Sequence, residues 1–228
     1  GSEMCIRDSS GHGKSTLLNL MAGFLVPTQG EVSANGKLVS APGPDRGVVF
    51  QRDTLFLWMR VAENIGFGLK ARGVPKHRRK EIVDHYLKVI GLEDFADAWP
   101  KQLSGGMRRR VGIAAVFANE PDVLLMDEPF AGLDWMRRAQ LHKVLLDLWA
   151  EAGNRAVLMI THDIDEALAL GDRVIVLQHG KLVYQAQIPF ERPRTTEMIT
   201  SPEASAIRRE ILLNFSTDSI DQFEKSLQ

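Results

Sequence analysis

An α/β fold with a mainly parallel sheet core and an attached helical lobe is predicted by three features of the sequence. Strand-length apolar runs alternate with segments of helical period, the order that a parallel sheet with covering helices requires. One run, Leu124-Leu125-Met126, stops abruptly at Asp127-Glu128-Pro129. A buried strand of this kind delivers its last residues to the carboxyl edge of the sheet, where open α/β folds place their ligands. The third feature is Ser9-Ser10-Gly11-His12-Gly13-Lys14-Ser15-Thr16, a loop that leads straight into Leu17, Leu18, Leu20 and Met21 at helical spacing.

Length and composition narrow the choice. At 228 residues and 44% hydrophobic composition the chain suits one large domain, 1–228, and is short for two full ones. A formal charge of −1, from 28 basic and 29 acidic side chains, gives no global attraction to nucleic acid or to an acidic membrane surface. Cys5 is the single cysteine, so an internal disulfide is excluded and a reducing compartment fits. No apolar run approaches the roughly 18 residues needed to cross a bilayer, so a membrane role requires a partner that spans.

Residues 1–7 carry no periodicity. Gly1-Ser2 looks like a tag scar and Met4 onward like translated adaptor. This leader is suspect as native sequence. In the loop that follows, unpaired backbone N–H groups and the helix dipole favour a phosphate at the helix N-terminus. Lys14 supplies a point charge for β- and γ-phosphates, and the Ser15 hydroxyl suits Mg²⁺. The pattern G-x-x-x-x-G-K-[ST] places its first glycine at position 8, where this chain has Asp8.

Residues 31–39 read as a hairpin turning at Asn35-Gly36. Residues 47–51 read as a buried strand ending on the amide of Gln51, a candidate to sense a metal and the γ-phosphate. The helical lobe spans about 55–118. Its first helix repeats Val61, Ile65 and Leu69, and its second starts at Pro75 and repeats Ile82, Tyr86, Val89 and Ile90. The basic run Lys76-His77-Arg78-Arg79-Lys80 reads as a solvated face. Ser104 in Leu103-Ser104-Gly105-Gly106-Met107 is a good N-cap for the helix through Val111, Ala115 and Ala118, and two glycines allow a ligand close to the backbone.

After Glu128 a turn, Phe130-Ala131-Gly132-Leu133-Asp134, precedes a helix over 136–151 with Leu141, Val144, Leu145 and Leu148 inside. Strands are expected over 156–160, ending at Thr161-His162-Asp163, over 173–177 and over 181–184. A short helix is expected over 164–170 and an amphipathic one around Ile207, Ile211 and Leu212, within a C-terminal extension over about 189–228.

These motifs, in this order, resemble the ATP-binding subunits of ABC transporters from Ser9 to about Phe215. In the family's terms Leu103 to Met107 is the signature; its final Met107, the phrase Asp127-Glu128-Pro129-Phe130, and Pro193-Arg194 followed by Arg208-Arg209-Glu210-Ile211-Leu212 look most like the nitrate/sulfonate/taurine import branch, with the N-terminus truncated. The family is of the P-loop NTPase fold. The resemblance implies ATP and Mg²⁺ as ligands. Gly11, His12, Gly13, Lys14, Ser15 and Thr16 would hold the phosphates, and Ser15, Gln51 and Asp127 the metal. Glu128 would be the catalytic base, with His162 on the γ-phosphate. Ser104, Gly105, Gly106 and Asp134 would complete the site of a second ATP-binding subunit. It further implies transmembrane permease subunits docked near Gln51, where Phe56, Leu57, Trp58 and Met59 either line a groove or belong to the core. A periplasmic or surface solute-binding protein would act indirectly, no nucleic acid would take part, and the protein would sit at the cytoplasmic face of the inner membrane. One departure is Ala115, where the family usually carries arginine. Another is the leader, which has no Phe, Tyr or Trp to stack on adenine and places Asp8 beside the phosphates. Weak ATP binding is expected for both reasons. Two other readings fit the same motifs, an ABC ATPase without a channel and a nucleotide-binding remnant that no longer turns over.

Overall fold

The computed structural model describes residues 2–6, 13–52, 54–152 and 155–226. The chain forms two compact units, one of Gly1–Ser40 with Ala156–Gln228 and one of Ala41–Arg155. In chain order the elements are β1 (Ser2–Ile6), α1 (Lys14–Ala22), β2 (Ser33–Ala34), β3 (Lys37–Leu38), β4 (Arg46–Val49), α2 (Val61–Ala71), α3 (Lys76–Val89), α4 (Gly105–Phe117) and β5 (Val123–Asp127). There follow α5 (Trp135–Ala152), β6 (Ala156–Thr161), α6 (Ile164–Leu170), β7 (Arg173–Gln178), β8 (Lys181–Gln187), α7 (Thr196–Ile199) and α8 (Pro202–Ser226).

In the first unit β1 lies between β6 and β7, parallel to both, with Ser2 opposite Val157 and Glu3 opposite Arg173. Residues 2–6 of the suspect leader are thus a strand of the sheet. Parallel pairing runs through backbone groups and asks little of the side chains, so a five-residue strand can lack any readable period. β8 pairs antiparallel with β7 through a bulge at Val176/Leu177. Val157 to Ile160 in β6 and Val174 to Leu177 in β7 are buried, as strands covered on both faces must be. The β2–β3 hairpin turns at Asn35 and Gly36 with φ of 50° and 73°. Positive φ at both central residues is the turn that the Asn-Gly pair predicts.

Arg194 ties the C-terminal extension to this unit. Its guanidinium is almost fully enclosed and donates to the carbonyls of Phe190, Leu168 and Gly171. Burial pushes its pKa below the ordinary arginine value.

The second unit pairs β4 and β5 in parallel, Arg46 opposite Val123 and Val49 opposite Met126. Gly47 permits the close packing of α4 on β4, because a Cβ there would come within 2.5 Å of Val116 Cγ1. The helical lobe has its own core, in which Val61, Ile65 and Leu69 of α2 meet Val83 and Leu87 of α3 and Val111, Ala114 and Ala118 of α4. The buried stripe of α3 is thus Val83, Leu87 and Ile90, while Ile82 and Tyr86 are only partly covered. Of the positions that the sequence pattern suggests, Ile90 is buried, while Val83 and Leu87 take the inner places expected for Ile82 and Tyr86. No helix among the described residues is long and apolar enough to cross a membrane.

Candidate active site

The first unit supplies a helix entry suited to phosphate. Gly13 precedes α1 with φ of 98°, a left-handed value that a side chain would strain, and among the described residues no side chain caps the helix. Leu17 N donates to Gly13 O at 2.7 Å, which starts the helical ladder. Helix geometry leaves the N–H groups ahead of Leu17 without intrahelical acceptors. Lys14 is half-buried at the first position, and Ser15 and Thr16 are exposed beside it. Gly11 and His12 lie outside the described residues, as does Asp8.

In the same unit His162 is exposed in the turn from β6 to α6. The residues around it are tightly held. Thr161 Oγ1 donates to the buried Glu166 carboxylate at 2.5 Å and accepts from Asp163 N at 3.0 Å. Asp163 Oδ1 caps α6 by accepting from Asp165 N and Glu166 N. The chain on either side of His162 is thus held in place, while the His162 side chain itself is exposed.

In the second unit β5 ends at Asp127, half-buried, and the chain turns at Glu128 with φ of 44°. A left-handed glutamate costs on the order of 1 kcal/mol or more, and such strain gathers at functional positions. The Glu128 carboxylate accepts from Gln51 Nε2 at 3.1 Å, so two of the candidate residues meet directly. Beneath them lies Arg109, a residue that no motif singled out. It is 7% exposed and donates from Nε to Pro129 O at 2.8 Å, from one terminal nitrogen to Phe50 O at 2.7 Å and from the other to Glu128 O at 3.2 Å.

The entry of α4 is the other candidate surface of this unit. Ser104 accepts from Met107 N at 3.3 Å and so caps the helix, as expected, with Gly105 and Gly106 in the first turn. Ser104, Gly106, Arg110 and Arg137 line a small cavity of about 70 Å³. Asp134 Oδ1 accepts from Arg137 N at 3.0 Å at the head of α5, and its Oδ2 pairs with Arg137 Nε at 3.1 Å. Leu57 and Trp58, at 66% and 71% exposure, belong to the surface. Phe56 and Met59 are partly covered, and the Phe56 ring lies 4.5 Å from that of Phe67. Ala115 opens onto a cavity of about 360 Å³ shared with Gly68, Gly112 and Asn119.

A helix entry suited to phosphate, a strand that ends in paired carboxylates, and a glutamine on the second carboxylate are features that nucleoside triphosphatases carry. A model of the ABC transporter family matches residues 1–131. Two relatives carry import names. The taurine import ATP-binding protein of Roseobacter denitrificans is 43% identical over 218 residues, 93% of this chain and 81% of its own length. The nitrate import ATP-binding protein of Synechocystis is 44% identical over 197 residues, 86% and 74% of the two chains. Among solved structures, the ATP-binding cassette MJ0796 is similar, with a TM-score of 0.70 and 32% identity over 83% of this chain and 85% of that one. That structure is a dimer in a post-hydrolysis state with ADP and Pi. The chain belongs to the ABC transporter family and is an ATPase of it.

Proposed function

We propose that this ATPase energises import of a small anion or an organic sulfur or nitrogen compound through transmembrane permease subunits, as a peripheral protein at the cytoplasmic face of the membrane. The observation that carries the reading is the contact between Gln51 and Glu128 at the end of β5. It places a candidate general base against the residue able to report on the nucleotide.

In this reading the amides and Lys14 of the α1 entry hold the phosphates, and His162 meets the γ-phosphate. Glu128 orients the attacking water and takes its proton. The oxygen donors of Ser15, Asp127 and Gln51 are hard ligands that suit Mg²⁺. Gln51 gives its Nε2 to Glu128, so its Oε1 is the amide atom with lone pairs for a cation. Bound there, Mg²⁺ would neutralise phosphate charge. Ser104, Gly105, Gly106 and Asp134 face the nucleotide of a second, head-to-tail copy. The dimeric form of MJ0796 supports that arrangement. The exposed Leu57 and Trp58 offer the permease an apolar contact, and the relatives named for taurine and nitrate import support the solute class.

The test is ATP hydrolysis by the chain alone and with its permease in vesicles, with solute uptake followed in parallel. Hydrolysis that rises with the permease and accompanies uptake is expected. Hydrolysis indifferent to any permease would favour an ABC ATPase without a channel, and none in either case a remnant.

A further inference from the structure

Arg108, Arg109 and Arg110 follow one another on α4, and each donates to a backbone carbonyl: Arg108 to Leu103, Arg110 to Ile90, and Arg109 to Phe50, Glu128 and Pro129. The first two serve their own lobe. The Arg109 carbonyls are different, because they lie on or next to the two residues in contact at the candidate site. Phe50 C=O shares its peptide with the Gln51 N–H. Glu128 C=O lies directly beyond the Glu128 side chain and also accepts from Ala131 N at 3.1 Å, closing the turn. One planar guanidinium, whose donors hold a fixed fork, therefore sets the spacing between the backbone of Gln51 and that of Glu128.

We infer that Arg109 is a positioning residue for hydrolysis. It holds Glu128 in its left-handed conformation and Gln51 at bonding distance from it, so that the carboxylate is aimed before nucleotide arrives. Charge explains why arginine suits the place. Three carbonyl dipoles converge on a site that is 93% shielded, and charge-assisted bonds there are about twice as strong as neutral ones. Arg109 also sits five residues beyond Ser104 on the same helix, so α4 reaches from the signature cap to the hydrolytic turn with no intervening element. The inference rests on Glu128 being the base, as proposed above.

The experiment compares Arg109→Lys, Arg109→Leu and Glu128→Gln with the parent chain for ATP affinity, KM, kcat and thermal midpoint. Lysine keeps the charge and loses the fork, and leucine loses both. The expected result is a fall in kcat of at least tenfold for both Arg109 variants, with KM and ATP affinity within about threefold of the parent, the lysine form retaining more activity. A kcat within twofold of the parent in Arg109→Leu would overturn the inference, as would losses of affinity and of midpoint that match the loss of kcat. If leucine prevents folding, the split between kcat and KM in Arg109→Lys decides alone. A Glu128→Gln form that still turns over would instead remove the reading on which the inference stands.

Discussion

Gln51 and Glu128 stand 77 residues apart in sequence and meet side chain to side chain, amide Nε2 to carboxylate Oε2 at 3.1 Å. An amide at position 128 can still accept that hydrogen bond but cannot take a proton from water. Glu128→Gln should therefore keep the fold and nucleotide binding while turnover falls by about 10²- to 10⁴-fold, the usual cost of losing a positioned base. Hydrolysis within a factor of two of the parent would remove Glu128 from the chemistry.

Ser104 both caps α4 and, in the proposed pair, faces the phosphates held by the other copy. Ser104→Arg should abolish the ATP-dependent dimer of the Glu128→Gln form in light scattering and also cost about 1 kcal/mol through the lost cap. Ser104→Asn, which can still cap, separates the two effects by restoring the thermal midpoint. A dimer undisturbed by the arginine would refute the assignment of this helix entry.

Asn64 is buried at 5% exposure and holds the loop before α2. Its Oδ1 accepts from Phe56 N at 2.7 Å, and its Nδ2 lies within bonding distance of the carbonyls of Phe56, Met59 and Arg60. Asn64→Ala leaves these groups short of partners, which costs about 1 to 3 kcal/mol. Thermal unfolding should show the loss, and amide exchange at residue 56 should accelerate beyond it. An unchanged exchange rate at that amide would count against the role given to Asn64.

Tyr86 donates its hydroxyl to Phe117 O at 3.0 Å. Burial raises its pKa above 10.0, with Glu120 and Glu151 acting in the same direction and Arg155 against them. The folded state thus favours the neutral phenol. Its contribution to stability is complete below the unfolded pKa near 10 and drains away as pH rises through the raised folded value. Tyr86→Phe should lose about 1 kcal/mol at neutral pH and show a shallower decline in stability above pH 10. Parallel alkaline curves for the two proteins would contradict it.

The legible parts of this chain are those whose signals are local. The Asn35-Gly36 hairpin, α6 over Ile164–Leu170 and the arrival of β5 at Asp127 all appear where their residue patterns place them. Arg109 and Asn64 were not legible, for a shared reason. Each acts through backbone groups, which have no residue type, and Arg109 makes its contacts 19, 20 and 59 residues away. Within the triplet Arg108-Arg109-Arg110 nothing in the sequence marks the middle member. Val83 and Leu87, rather than Ile82 and Tyr86, face inward beside the expected Ile90, because apolar side chains occupy 82, 83, 86, 87, 89 and 90 together, so two adjacent faces compete and only packing against α2 and α4 chooses between them.

The position of β1 bears on the order in which the molecule can be assembled. Its partners are β6 and β7, so the strand formed by Ser2–Ile6 must await residues more than 150 positions later. Ala41–Arg155, by contrast, is an uninterrupted segment that forms one compact unit. During synthesis, which runs from the N-terminus, that segment can condense while the first strand is still unmatched. Closing the long loop to β6 then comes late, and contacts of such sequence separation are slow to form. Until then β1 has two unpaired backbone edges, one toward each of the strands it awaits.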